Sequence, residues 1–91
     1  MPQLVVPGSW HNVTSGQVRS DLPAATLLEL LEAFVESHPE AAYRLYSPSG
    51  DLLRYHLLFV DGEQVERTTP PDRVALGPAS HVEIIAPLAG G

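Results

Sequence analysis

The hydrophobic and polar positions of the chain predict one amphipathic helix in its first half. Apolar residues between positions 27 and 35 recur at i, i+3, i+4, i+7 and i+8, with glutamates between them, which is the spacing of a helix that buries one face. Thr26 and Glu29 have capping-box spacing at the start of this pattern. The Thr26 hydroxyl can accept a hydrogen bond from the Glu29 amide, and the Glu29 side chain can reach back to the start of the helix. Pro39 disfavours a helical conformation in the residue before it, and we therefore expect the helix to end near Ser37.

Runs of β-branched and aromatic residues flank the helix and predict strands. These runs are residues 4–6, 17–20, 52–60, 64–66 and 81–85. In the second run we expect Val18 to point inward, and Asp61-Gly62 after the third run is typical of a hairpin turn. A helix with a single apolar face needs a sheet to cover it, so the pattern predicts an α+β roll with a mixed sheet of four or five strands packed on one main helix.

The last predicted strand has two chemically different faces. Val82 and Ile84 alternate with Glu83 and Ile85, and successive side chains of a strand point to opposite faces of the sheet. If Val82 and Ile84 face the helix, Ile85 is exposed on the opposite face.

Composition and charge narrow the classes of function. The 91 residues include 11 acidic and five basic side chains, giving a net charge of −6, and contain no cysteine. One domain is expected at this length, without disulfides, a thiol nucleophile or cysteine-bound zinc. The acidic balance argues against nucleic-acid binding. Neither a signal peptide nor a membrane-spanning run of about 18 apolar residues is evident, so we expect a cytoplasmic protein with no membrane association.

The residue types used in catalysis do not fall into catalytic patterns. The four histidines lack the spacing of a metal site, so we interpret them as surface or turn residues; they are His11, His38, His56 and His81. None of the serines lies in a nucleophile elbow. Trp10 is interpreted as a loop aromatic that folds onto the core. The sequence therefore predicts no enzyme, no catalytic or metal-binding residue and no bound cofactor.

The informative feature is the ending Gly90-Gly91. At ordinary glycine usage such a pair ends about one sequence in two hundred by chance. Two residues without Cβ make a thin rod that can enter a narrow channel of another enzyme. A terminal carboxyl group has a pKa of about 3.3–3.7 and is anionic at neutral pH. Because a carboxylate is a poor electrophile, it needs activation, for example as an acyl-adenylate that a partner makes with ATP.

This ending resembles that of the ubiquitin-like sulfur carriers, which include the small subunit of molybdopterin synthase and the thiamine-pathway carrier protein. The likeness rests mainly on residues 82–91 and extends to residues 59–63, where Asp61 stands in place of the family's usual asparagine. The Pro7-Gly8 break and the helix start after Thr26 also fit. Residues 78–81 depart from the family's acidic-glycine turn. The length is nearer to the molybdopterin and cysteine-pathway carriers than to the thiamine carriers.

The resemblance implies a β-grasp domain over residues 1–85 and a flexible reactive tail over residues 86–91. A ubiquitin-activating-type enzyme would use ATP to adenylate Gly91, and a sulfurtransferase would convert it to a thiocarboxylate. The sulfur would then pass to a synthase, with the large subunit of molybdopterin synthase as the first candidate and cysteine, thiamine or natural-product synthesis as others. The residues that would enter the partner's active site are Pro87, Leu88, Ala89 and Gly90.

The resemblance also implies a partner surface on the sheet face away from the helix. Ile85 falls where the family has an exposed apolar contact with the activating enzyme, although an ordinary residue at the edge of the core is an equal alternative. Val6 and Gln64 are weaker matches to the same surface.

Two other functions share these features. The first is a protein modifier joined through Gly91 to a lysine of a target. The second is a β-grasp interaction module with an inert tail. The absence of lysine means that this chain cannot build lysine-linked chains on itself.

Overall fold

The computed structural model describes residues 1–53 and 56–86 of the chain. Five strands, two α-helices and three 3₁₀ turns make up this part. The strands are β1 (Gln3–Val5), β2 (Arg19–Asp21), β3 (Leu57–Val60), β4 (Glu63–Gln64) and β5 (His81–Ile85). The helices are α1 (Leu27–Ser37) and α2 (Ala42–Leu45), and the 3₁₀ turns are Gly8–Trp10, Pro39–Ala41 and Pro71–Arg73.

The strands form one mixed sheet in the order β2-β1-β5-β3-β4. β1 pairs antiparallel with β2 and parallel with β5, and β3 pairs antiparallel with both β4 and β5. Because parallel neighbours need a long connection, the helices and the β3–β4 hairpin lie between β1 and β5 in the sequence. The predicted architecture, a mixed sheet with one main helix, is confirmed.

Thr26 and Glu29 cap the start of α1 as predicted, with Glu29 reaching back to the residue before the N-cap. The Thr26 hydroxyl accepts a hydrogen bond from the backbone N–H of Glu29 at 3.2 Å, and the Glu29 carboxylate accepts from the backbone N–H of Ala25 at 2.8 Å. The helix ends at Ser37, as Pro39 predicts. Local sequence therefore sets both ends of this helix, and a residue such as Thr26 at the N-cap contributes about 1 kcal/mol to its stability.

The core lies between α1 and one face of the sheet. The helix contributes four side chains with at most 1% exposure: Leu27, Leu30, Leu31 and Phe34. The sheet contributes Leu4, Leu58, Val82 and Ile84. Trp10 is 1% exposed, with its ring centroid 6.3 Å from that of Phe34. The prediction that this loop aromatic folds onto the core is confirmed.

The long strand predicted over residues 52–60 is wrong in its first part. Leu52 forms an isolated bridge with Tyr46, and the backbone N–H of Leu53 donates to the Leu45 carbonyl at 2.7 Å. This segment pairs with the chain leaving α2 instead of joining the sheet, and β3 begins only at Leu57. A run of apolar residues predicts extended backbone but does not reveal which segment it pairs with.

His56 is buried, with 7% exposure, so its interpretation as a surface or turn residue is wrong. Its Nε2–H donates to the Arg44 carbonyl oxygen at 2.7 Å, and its ring meets Trp10 edge to face at 5.3 Å between centroids. The hydrogen bond compensates for placing a polar ring in the core. His56 therefore anchors the start of β3 to α2.

The returning strand begins two residues later and ends one residue later than predicted. β2 spans Arg19–Asp21, and its inward residue is Ser20, which is paired with Leu4. Val18 is 39% exposed, so the prediction that it is the inward residue packed in the core is wrong. Pairing with β1 sets the position of β2. Because β2 is an edge strand, one small inward side chain, that of Ser20, is enough to cover the core there.

Tyr46 lies half-buried beside α1 in a shallow pocket with Leu28, Glu32 and Val35. Burial, and secondarily the negative charge of Glu32, raises the pKa of the Tyr46 phenol above its ordinary value. The neutral phenol is thus the form that the fold favours.

Candidate partner-binding surface

β5 is the strand that leads to the C-terminal residues, and it occupies the centre of the sheet. It is held on one side by parallel pairing to β1 and on the other by antiparallel pairing to β3. Val82 and Ile84 are buried under α1, while Glu83 and Ile85 are exposed, as the alternation of the sequence predicts. The point from which the chain leaves the sheet after Ile85 is therefore fixed by two sets of backbone hydrogen bonds.

The face of the sheet away from α1 carries a partly apolar surface over β1, β3, β4 and β5, which we call the open face. Its members are Val5, Leu57, Phe59, Gln64, Glu83 and Ile85, and polar residues border it on the same side of the sheet: Gln3, Arg19, Asp21 and His81. Register brings them together: Glu83 pairs with both Val5 and Phe59, Phe59 pairs with Gln64, and Ile85 pairs with Leu57. Directly opposed side chains on one face lie about 4.5–5.5 Å apart at Cβ, so these residues form a continuous surface.

A shallow groove of about 250 Å³ crosses the open face. Phe59, Gly62, His81, Glu83 and Ile85 line it. Ile85 is 39% exposed, which is unusual for a large aliphatic side chain in the central strand of a small sheet. An exposed apolar surface of this kind, with polar groups at its edge, is typical of a site of protein–protein contact.

The turn between β3 and β4 supports one end of the groove. Asp61 and Gly62 both have positive φ, 51° and 86°, as a two-residue type I′ hairpin requires, so the predicted turn is confirmed. The Asp61 Oδ1 atom accepts from the backbone N–H of His81 at 2.8 Å, and the Asp61 N–H donates to the His81 carbonyl at 2.8 Å. The turn is thereby joined to the first residue of β5.

The structure separates the three predicted partner-binding residues. Ile85 and Gln64 are exposed and share the open face through Phe59 and Leu57. Val6 is 3% exposed and belongs to the core, so its prediction as a contact residue does not fit and we leave it out of the proposed surface. Strand alternation gives the reason, because the neighbouring Val5 is the residue that faces outward on β1.

Residues of the predicted reactive tail, Pro87, Leu88, Ala89, Gly90 and Gly91, lie outside the described residues. The roles of Gly91 in adenylation and of the preceding four residues in a partner's active site stay predictions, and so does the division into a domain over residues 1–85 and a tail over residues 86–91.

Sequence reasoning missed Val5, Leu57 and Phe59 as members of the open face. Each lies in a run with few polar residues, where period-two alternation is hidden and the outward side chain looks like another core residue. Their outward direction could have been inferred only from strand pairing. If Ile85 faces outward, the residue paired with it on the neighbouring strand, Leu57, must face outward as well.

Metal sites and membrane spans are absent from the part of the chain that the structure describes. Within residues 1–53 and 56–86, no three histidine, aspartate or glutamate side chains gather closely enough to hold a metal ion. In the same residues no helix is long and apolar enough to cross a membrane.

Comparison with solved structures identifies the fold. A chain in the crystal structure of the BexX/CysO complex from Amycolatopsis orientalis superposes with a TM-score of 0.83, at 22% identity, over 100% of both chains. CysO of Mycobacterium tuberculosis gives 0.80 at 22% identity over 97% of this chain and 100% of that one. SAMP1 of Haloferax volcanii gives 0.78 at 22% identity over 99% and 98%.

The chain has a β-grasp fold. The predicted fold class is confirmed over essentially its whole length, and the resemblance to ubiquitin-like sulfur carriers holds at the level of the fold. No protein-family profile matches the sequence, and no curated protein is significantly similar to it.

Proposed function

We propose that this protein is a sulfur carrier that acts as a co-substrate of other enzymes and has no catalytic activity of its own. The observation that carries the proposal is the position of β5: the central strand of a β-grasp sheet runs directly into the sequence Ala86-Pro87-Leu88-Ala89-Gly90-Gly91. The full-length likeness to CysO and to the small archaeal modifier SAMP1 supports a carrier or modifier.

The fold offers a physical reason why a protein should carry such a tail. A partner that grips the open face holds Ile85, which directly precedes residues 86–91 in the sequence. The partner thereby fixes the origin of the tail relative to its own active site. Holding a reacting group in place replaces a bimolecular encounter by an effectively unimolecular step, which lowers the entropic part of the barrier.

The proposed chemistry takes place on the carboxyl group of Gly91. The carboxylate attacks the α-phosphorus of ATP in the activating enzyme, forming an acyl-adenylate and releasing pyrophosphate. A hydrosulfide-equivalent donor then attacks the acyl carbon, AMP leaves, and a thiocarboxylate and one proton remain. The sulfur rides on the acyl carbon, so the absence of cysteine from the chain is compatible with this role.

The final acceptor is proposed from the sequence resemblance alone. We propose transfer to the molybdopterin precursor as the first possibility to test, with a sulfurtransferase as donor and a synthase as acceptor. Cysteine, thiamine and natural-product synthesis are the alternatives, and separate assays with each acceptor decide among them.

A second function has one observation in its favour, the likeness to SAMP1, which is described as a small archaeal modifier protein. In that role the amine of a target lysine attacks the same acyl-adenylate, AMP leaves and an isopeptide bond forms. The surface and the activation step are common to both functions, and only the nucleophile differs.

The test measures the intact mass of the protein after incubation with ATP, the activating enzyme of the same organism and a sulfide donor. The proposal expects a gain of about 16 Da, one oxygen exchanged for sulfur, located in the C-terminal peptide. The matched control lacks Gly91 and is expected to show no change. Because Gly91 must carry the free carboxyl group, the mass of the protein purified from its host is recorded first.

Three results contradict the proposal. Lysine-linked adducts on other proteins, without any thiocarboxylate, support the modifier instead. No change of mass, with an enzyme that activates a known carrier, supports an inert interaction module. A host protein that continues beyond Gly91 and is not trimmed back removes the reactive group altogether.

A further inference from the structure

One charged side chain stands at the centre of the otherwise largely apolar open face. Glu83 is exposed and lies between Val5 on β1 and Phe59 on β3 in a single cross-strand row. Ile85 follows it on the same face and lines the same groove. Within the part of the chain that the structure describes, the Glu83 carboxylate takes part in no hydrogen bond and no ion pair.

The basic groups on the same face do not neutralise Glu83. Arg19 is paired with Val5 and so lies on the far side of that valine, and His81 begins β5 two residues before the carboxylate. Neither forms an ion pair with Glu83. An exposed pair with either side chain would contribute less than about 1 kcal/mol even if it formed transiently.

This arrangement restricts the partner that can cover the face. A protein that buries Phe59 and Ile85 must also remove water from Glu83, which adjoins both residues on the open face. Leaving a carboxylate buried without a partner costs several kcal/mol, more than the apolar contacts around it return. A partner that binds here must therefore place a cation opposite Glu83.

From this geometry we infer that the groove receives an arginine side chain of the activating enzyme, whose guanidinium pairs with Glu83 and stacks on the ring of Phe59. Arginine fits better than lysine because its planar guanidinium can make two parallel hydrogen bonds to a carboxylate and lie flat on an aromatic ring. Gln64, the cross-strand neighbour of Phe59, closes the outer side of this site. The inference rests on the proposed function, of which it names the recognition chemistry.

The first experiment compares ATP–pyrophosphate exchange by the activating enzyme with the wild-type chain, Glu83→Gln and Glu63→Gln. Glu63 is also an exposed acid, on β4, but it pairs with Val60, which packs against the core, so it does not share the open face. We expect Glu83→Gln to raise KM about tenfold or more, with kcat unchanged, and Glu63→Gln to stay within about twofold. The rise of KM with added salt should be weaker for Glu83→Gln than for the wild type.

The second experiment identifies the partner residue. Replacing Gln64 by the photo-crosslinking residue p-benzoylphenylalanine places a probe beside the groove, and mass spectrometry locates the crosslinked peptide of the enzyme. An arginine next to that peptide is then changed to glutamine and combined with Glu83→Gln. If the two groups pair, the double change raises KM by about as much as either single change, not by the product of the two effects.

The outcomes separate this inference from the proposed function. If the wild-type chain supports exchange but Glu83→Gln stays within twofold of it, or if the two changes multiply, the arginine site is wrong and the sulfur-carrier proposal stands. A crosslink that leads to a lysine, or to an apolar surface with no arginine beside it, also overturns the site. If the wild-type chain supports no exchange with an enzyme that is active on a control carrier, both fail.

Discussion

Replacing Ile85 by glutamate tests whether the open face is the surface by which the activating enzyme grips the protein. Ile85 is the last residue of β5 and is 39% exposed. Full burial of an isoleucine side chain contributes about 1.5–3 kcal/mol. The exposed 39% therefore represents about 0.6–1.2 kcal/mol that a partner can still gain.

These magnitudes predict a graded series. Ile85→Ala removes the apolar contact only, so we expect the KM of the activating enzyme for this protein to rise about three- to eightfold. Ile85→Glu also buries an unpaired charge at a cost of about 3–5 kcal/mol, which predicts a rise of more than about 100-fold. The fold should survive, because the covered part of the side chain contributes only about 1–2 kcal/mol of a typical 5–15 kcal/mol stability.

The assay is ATP–pyrophosphate exchange at varied concentrations of each variant. Urea unfolding followed by the fluorescence of the single tryptophan, Trp10, which is 1% exposed, confirms that each variant is folded. Val18→Glu is the matched control, because Val18 has the same 39% exposure as Ile85. The Val18 carbonyl accepts from the backbone N–H of Val6, so Val18 lies opposite a core-facing residue and not on the open face. If Ile85→Glu is folded and its KM is no higher than that of Val18→Glu, the open face is not the contact surface.

Three further predictions concern the elements that support this surface. Thr26→Ala removes the N-cap of α1 and should lower the free energy of unfolding by about 1 kcal/mol in urea, whereas the same change at exposed Thr68 should have almost no effect. Asp61→Ala removes both a hydrogen-bond acceptor and a residue suited to positive φ, so it should lower the free energy of unfolding by about 2 kcal/mol. Asp61→Asn keeps both features and should lower it by less than about 0.5 kcal/mol; equal losses for the two variants would contradict the account of the turn. Burial raises the pKa of Tyr46 in the folded state, so its stabilising contribution is full below the unfolded pKa near 10 and is lost above it. Tyr46→Phe should flatten the loss of stability above pH 10, and an alkaline stability curve identical to that of the wild type would refute the assignment.

The elements that could be predicted best are those whose signals are local. The helix was recoverable to the residue because its cap, its apolar spacing and Pro39 all lie within a few positions of one another. β5 was equally readable, since its inward and outward side chains differ in polarity. The first strand and the Asp61-Gly62 turn were found for the same reason.

The errors share a different cause. Whether Leu52 joins the sheet or bridges Tyr46 depends on which distant segment supplies the hydrogen bonds, and whether Val18 is covered like Ser20 depends on what packs over the edge of the sheet. The burial of His56 depends on a carbonyl twelve residues away, at Arg44. None of these partners is marked in the sequence near the residue that needs it.

The helix, the two faces of the last strand and the Gly-Gly ending from which the proposed chemistry follows can all be recognised in the amino-acid sequence. The position of β5 between β1 and β3 cannot, and it is this position that brings Val5, Phe59 and Glu83 into one row on the open face. Side-chain periodicity acts over a few residues, whereas register is set by backbone pairing between strands that are dozens of residues apart. The surface proposed to meet a partner is a product of that pairing.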